Sequence, residues 1–389
     1  ETRMKRQFVN LVTRNWTEGF YSVRRIDPYR NFFYGSAEAA AVEVAKKKES
    51  FPATQMQELP TPSINFESFP AMQIQELPTP SINIAAIDVP GSTLDMFGLF
   101  TPRATSEGRM VYVNTMGDAG LYDADNRIHT CLGRLNKPKG HRPMCLSVAH
   151  PDADEEDRMY VLDSNPRKGA QQCFEVLQRT PRKWRNNLLP QWHWRLLSPP
   201  PFVHQPGYQP SFITSFTTMV DGDGVSTIYI SGDGGIGTYS FETPRDQYSE
   251  PRGWSHVGEW MLPFRGRAQY VPEFNLWFGF SALNPNHLCA TDLSAMYNGQ
   301  QPTAPKVWED LNLPEGEAWL PKQLELLPLG GGKFLIAKTF AAGLLGGYFS
   351  LLTGIEMIPS DGGDRQALQM VKHKCARLVF MDEVLEWVL

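Results

Sequence analysis

Gly232-Asp233-Gly234-Gly235-Ile236-Gly237 has the G-x-G-x-x-G spacing with which a backbone turn closes around a pyrophosphate. That chemistry needs a helix N-terminus to meet the phosphate charge, whereas Thr238 to Glu242 alternates as a strand does. The glycines therefore predict a hairpin turn. Gly330-Gly331-Gly332-Lys333 fails as a phosphate loop, because Leu327 occupies the first glycine position and Phe334 stands where the magnesium-binding hydroxyl belongs. Asp221-Gly222-Asp223-Gly224 offers half of a calcium loop without the third oxygen ligand or the closing glutamate, and reads as a solvated turn. The acidic stretch from Asp152 to Asp157 gathers carboxylates between two predicted strands, where their mutual repulsion predicts an exposed mobile loop. The 8 histidines include no His-x-His or His-Glu-x-x-His pair, and no Gly-x-Ser-x-Gly elbow occurs. On these grounds the sequence assigns no catalytic, cofactor-binding or metal-ligating residue.

Recognition is the chemistry that remains. Arg179, Arg182, Lys183, Trp184 and Arg185, with Arg195 nearby, form the densest basic and aromatic stretch of the chain. Arginine and tryptophan dominate interface hot spots, and a long loop on a rigid scaffold is where variable contacts reside. A protein or macromolecular assembly is the expected partner; RNA contact through the same residues is the alternative. The plain structural reading is a solvated loop whose tryptophan covers the rim.

The scaffold that would carry this loop repeats. Tyr122 to Asp125, Tyr160 to Asp163, Tyr239 to Glu242 and Cys289 to Asp292 each place an aromatic or sulfur side chain three residues before an acid. After the last three, a tryptophan leads into a Leu and Pro phrase at Trp194 to Pro199, Trp260 to Pro263 and Trp308 to Pro314. Recurring strand, turn and Trp-bearing strand is the signature of a β-propeller blade. Units near 94–138, 144–201, 211–264, 268–314 and 324 onward, plus an N-terminal hairpin at Phe8 to Thr13 and Phe20 to Ile26, predict one all-β domain over residues 1–389. It would be a single closed propeller of about six four-stranded blades, five being the runner-up. The strand Ala376 to Met381 and the residues after it are the expected partners of the N-terminal strands, and Trp194, Trp260, Trp277 and Trp308 should be largely buried between sheets. Ser36 caps a short helical insertion near residues 36–48. Within 49–84, Ser50 to Asn65 recurs almost unchanged as Ser68 to Asn83, a Pro-rich tandem duplication. The second copy has the shorter path to the next unit and should be the one that docks, leaving the first as an exposed excursion.

Composition narrows the function classes. A formal charge of -5 and a pI near 6.0 give no global field for nucleic acid or an anionic membrane. Five scattered cysteines, none in a Cys-x-x-Cys pair, fit a reducing compartment, so cytosol or nucleus is expected. The chain begins at Glu1, which leaves an organellar transit peptide open.

Ile228-Tyr229-Ile230-Ser231, the pair Gly234-Gly235, Tyr239 and Trp254 together resemble a kelch blade. Phe8 to Asp27, Leu121 to Asp125, Met159 to Asp163, Cys173 to Leu177 and Trp260 to Phe280 are similar to a large plant family of kelch-like proteins, expanded in grasses and labelled a domain of unknown function. The resemblance spans most of the chain and implies a propeller without implying a cofactor or any catalytic residue. A non-enzymatic interaction module is thus the leading expectation, with an axial-pocket small-molecule binder or metal-dependent enzyme as the competing class.

Overall fold

Apolar side chains crowd the middle strands of this chain and thin out toward the strands that end each sheet. The computed structural model describes residues 5–49, 72–73, 78–85, 93–102, 108–150, 155–180, 191–245, 253–311, 320–342, 347–360, 367–379 and 382–389. β1 (Val9–Asn15) and β2 (Phe20–Ile26) form the first hairpin, its turn held by Asn15 Oδ1, which accepts from the backbone N–H groups of Thr17 and Glu18. α1 (Pro28–Phe32) starts at Asp27, whose carboxylate caps two backbone N–H groups, and α2 (Ala37–Glu49) starts at Ser36, whose Oγ accepts from Ala39 N at 3.2 Å. β3 (Met72–Gln73) and β4 (Ile82–Ala85) follow, β4 pairing antiparallel with β2.

Antiparallel meanders then succeed one another. β5 (Leu94–Leu99), β6 (Arg109–Asn114), β7 (Ala119–Asp123) and β8 (Ile128–Leu132) make one; β9 (Met144–Val148), β10 (Arg158–Leu162), β11 (Phe174–Arg179) and β12 (Trp192–Leu196) make the next. β13 (Ile213–Val220), β14 (Ser226–Gly232), β15 (Gly237–Glu242) and β16 (Gly253–Gly258) precede β17 (Phe264–Val271), β18 (Leu276–Ser281), β19 (Leu288–Thr291) and β20 (Lys306–Trp308). A short parallel pairing of β13 with β17, Ser215 opposite Gly266, merges these two meanders into one eight-stranded sheet. β21 (Pro321–Gly330), β22 (Lys333–Ala342), β23 (Gly347–Pro359) and β24 (Leu368–Val379) carry β3 on their outer edge, and β25 (Glu383–Val388) returns to pair with β1.

The architecture is all-β, with few helices and several four-stranded antiparallel sheets. Every residue of β10 is buried, while the outer strands β8 and β12 are exposed or half-buried along their length. Strands covered on both faces read as continuous apolar runs, as Met159-Tyr160-Val161-Leu162 does; outer strands are covered by one neighbour at most. Each core cluster among the described residues joins two successive strand groups: Phe174 meets Phe241 edge-on at 5.0 Å, Tyr21 meets Phe97 at 6.1 Å, and Phe278 meets Phe334 at 5.0 Å. One cluster joins the last meander to the first, packing Leu335 and Leu352 with Val9 and Leu11.

Several expectations change. Trp277 is buried, but Trp194, Trp260 and Trp308 are only half-buried. The indole N–H explains the outer-strand pair: Trp194 donates to Gly133 O at 2.8 Å and Trp308 to Leu368 O at 3.3 Å, reaching rim carbonyls of the neighbouring sheet. The aromatic-x-x-acid phrase lies on the third strand of its meander at Tyr122, Tyr239 and Cys289, but on the second at Tyr160. It marks strands running into turns, where Asp163 Oδ1 accepts from Asn165 N and Asp292 Oδ1 from Ser294 N. The strand predicted at Ala376 to Met381 belongs to β24 up to Val379; the partner of β1 is β25. The duplication is half visible: Ile82 and Asn83 of the second copy lie in β4, and the first copy lies outside the described residues. No helix among the described residues is long and apolar enough to cross a membrane.

Candidate functional site

One hydrogen bond recurs from meander to meander and ties two loops of each to the same end of its strands. Trp16 N donates to Asp382 O at 2.9 Å, Thr115 N to Thr93 O at 3.0 Å, Asp233 N to Phe212 O at 3.1 Å and Ala282 N to Pro263 O at 3.0 Å. In each case the turn between the second and third strands is tied to the residue leading into the first. In the fifth meander the register does the same work, setting Pro321 opposite Phe340 and Phe340 opposite Phe349.

These turns and lead-in segments carry Trp16, Met116, Phe212, Met261, Leu283 and Leu320, and β23 starts with Tyr348, all exposed. Leu283 is 79% exposed and Phe212 59%. All but Tyr348 sit on turns or lead-in residues. Val220, at the end of β13, and Ile128, on the outer strand β8, are exposed elsewhere.

Residues of β5, β9, β13, β17, β21 and β25 line one cavity of about 340 Å³. Arg142, with φ of 53°, leads into β9 and projects its guanidinium 4.9 Å from the centre of the Trp387 ring. Its Nη2 donates to Glu386 O and lies 3.6 Å from that residue's carboxylate, and its Nη1 stands 3.8 Å from Glu325 Oε1. Gln323 Nε2 donates to Glu386 Oε2 at 3.3 Å. Burial pushes the Glu325 carboxyl up to about 7, against the pull of the Arg142 and Arg267 charges. Its side chain keeps 32% exposure, all of it consistent with a place on the cavity wall.

Arg179 ends β11 and donates to Glu156 Oε1 at 3.1 Å; Arg182, Lys183, Trp184 and Arg185 lie outside the described residues. The acidic stretch is corrected at its end: Glu156 pairs with Arg109 at 2.5 Å as well as with Arg179, and Asp157 is buried with Oδ1 accepting from His150 N. Glu156 thus closes onto two arginines and Asp157 onto a backbone N–H, at the end of the stretch that the structure describes. Gly234 and Gly235, with φ of 69° and 79°, form the β14–β15 turn, a conformation other side chains resist. Asp221 Oδ1 accepts from Asp223 N and Val225 N, an Asx-type turn. Groups of three or more His, Cys, Asp or Glu able to hold a metal do not occur among the described residues.

Two buried lysines are paired within the fold. Lys338 Nζ lies 2.8 Å from Asp310, which also accepts from His287 Nδ1 and Leu288 N, and Lys139 pairs with Glu175. Such pairs hold connections in register. Arg142, Glu325 and Glu386 escaped sequence reasoning altogether, since they come from separate meanders and share no spacing.

The family described as "Protein of unknown function (DUF1668)" matches residues 6–378. No curated protein matches the chain. Among solved structures, an α-L-arabinofuranosidase from Clostridium thermocellum is similar at 11% identity, covering 76% of this chain and 96% of its own, with a TM-score of 0.37. The β-propeller domain of Swd1 from Myceliophteria thermophila is similar at 10% identity over 55% of this chain and 58% of its own, TM-score 0.26. AztD from Citrobacter koseri is similar at 8% identity over 95% and 98%, TM-score 0.35.

Proposed function

The chain belongs to the DUF1668 family of proteins of unknown function, and from that premise we propose that it is a non-enzymatic protein-interaction module. In this reading it is a closed, kelch-like propeller of six blades, β25 completing the blade of β1, β2 and β4. Core clusters that pass from each sheet to the next and from the last to the first support the closure. The scattered cysteines, none in a Cys-x-x-Cys pair, support the cytosol or nucleus as its compartment.

The observation that carries the function is the loop end studded with Trp16, Met116, Phe212, Leu283 and Tyr348. Large aromatic and thioether side chains held out from a rigid scaffold are the composition of a protein–protein interface core. RNA contact through the basic stretch is less well supported, because the guanidinium of Arg179 is held by Glu156. Affinity capture should compare the full chain with a variant carrying Met116→Ser, Phe212→Ser, Leu283→Ser and Leu320→Ser, and with a control carrying Val220→Ser and Ile128→Ser. Partners shared by the parent and the control and lost from the first variant support the reading. An identical set from all three, or a set abolished by nuclease, contradicts it.

A further inference from the structure

We propose that the axial cavity is a binding site for a small molecule bearing a carboxylate or phosphate oxyanion, gripped by the guanidinium groups of Arg142, Arg265 and Arg267. These three arginines line the cavity, one from the lead into β9 and two from β17, and Arg6 lines it too. A guanidinium fork matches either oxyanion with two parallel N–H donors. Arg142 is held but under-satisfied: Trp387 and the Glu386 carbonyl fix it, its Nη1 stands beyond hydrogen-bond reach of Glu325, and its buried Nε finds no acceptor among the described residues. An oxyanion in the cavity supplies the missing acceptor to Nη1. Arg265 is exposed to the cavity, at the start of β17.

Glu325 sets the sign of the local charge. The charged groups facing it are Arg142, Arg267 on β17 and, across Arg142, Glu386 on β25. Ionised, it opposes an incoming anion; protonated, it leaves the arginines in excess and offers an O–H donor. With its carboxyl raised to about 7 by burial, the receptive form, and affinity with it, falls as the pH rises from 6 to 8.

Isothermal titration of the full chain at constant ionic strength tests this, with succinate and inorganic phosphate as probes and glycerol as the neutral comparison. Saturable one-to-one binding of either anion at pH 6 is expected, and the anion that binds identifies the oxyanion chemistry. Arg265→Gln should weaken that binding at least tenfold without loss of fold. Glu325→Gln should keep only the pH dependence due to the probe's own ionisation. Absence of saturable binding by both anions at pH 6, or Arg265→Gln binding as tightly as the parent, overturns the proposal.

Discussion

Trp16 and Tyr348 stack with their ring centroids 6.0 Å apart and their planes 19° from parallel, although both remain exposed at 50% and 37%. The pair joins the β1–β2 turn to the start of β23, and the Arg14 guanidinium lies 5.4 Å from the Trp16 ring. Stacking fixes both rings in place without burying them, so their ordering cost is met before any partner arrives.

Trp277 is buried and Trp260 only half-buried. Trp277→Ala should lower the unfolding free energy by about 3–5 kcal/mol, read from urea denaturation. Trp260→Ala, at a half-buried site, should cost no more than about 2 kcal/mol. Equal midpoints for the two variants would contradict the burial difference.

Lys338→Met strands the carboxylate of Asp310 in the core and should cost about 3–5 kcal/mol. Combining it with Asp310→Leu should recover a large part of that loss, because the unpaired charge goes too. A double variant no more stable than Lys338→Met would show that the pair is not the relevant unit.

Glu325 carries a pH signature. Its carboxyl is raised from 4.5 to about 7, so the folded chain binds a proton that the unfolded chain has already lost. Its contribution to stability is complete below about pH 4 and is lost as pH rises through about 7. Glu325→Gln should therefore match the parent at pH 4 and exceed it by about 2 kcal/mol at pH 8, a figure reduced for the water that reaches the cavity. A gain at pH 4 with none at pH 8 would reverse the sign and refute the assignment.

Strand-level organisation was legible because each meander carries its own local signals. Ser36 marked the helix start and Gly234-Gly235 the β14–β15 turn, and these depend on backbone chemistry near in sequence. Burial at the outer edge was not legible: Trp194 and Trp308 read as core residues, but their N–H groups seek rim carbonyls supplied by a neighbouring sheet. The break between β24 and β25 was missed because both halves of 368–388 have strand composition and only long-range pairing separates them. The axial groups were illegible for the same reason in stronger form. Arg142, Arg267, Glu325 and Glu386 meet only after four inner strands assemble. The exposed ring of Met116, Phe212 and Leu283 had no motif at all, since single apolar residues in turns look alike until the turns share an end.

The duplicated segment gives a test of chain connection. Deleting Ser50 to Glu67 removes one period, and α2 packs against β24, the same strand that β3 joins, so the gap to be bridged is short. The shortened chain should fold with a stability change of roughly 1 kcal/mol or less. Failure to fold, judged by circular dichroism and gel filtration, would show that both copies are structural.

The interaction reading is tested most directly by a photo-reactive amino acid placed singly at Leu283, Met116, Val220 or Ile128 in the full-length chain, followed by irradiation in cell extract. The account predicts discrete cross-linked protein adducts from positions 283 and 116 and none from 220 and 128. Adducts of equal yield from all four positions, or from 220 and 128 alone, would contradict the assignment of the loop end as the docking face.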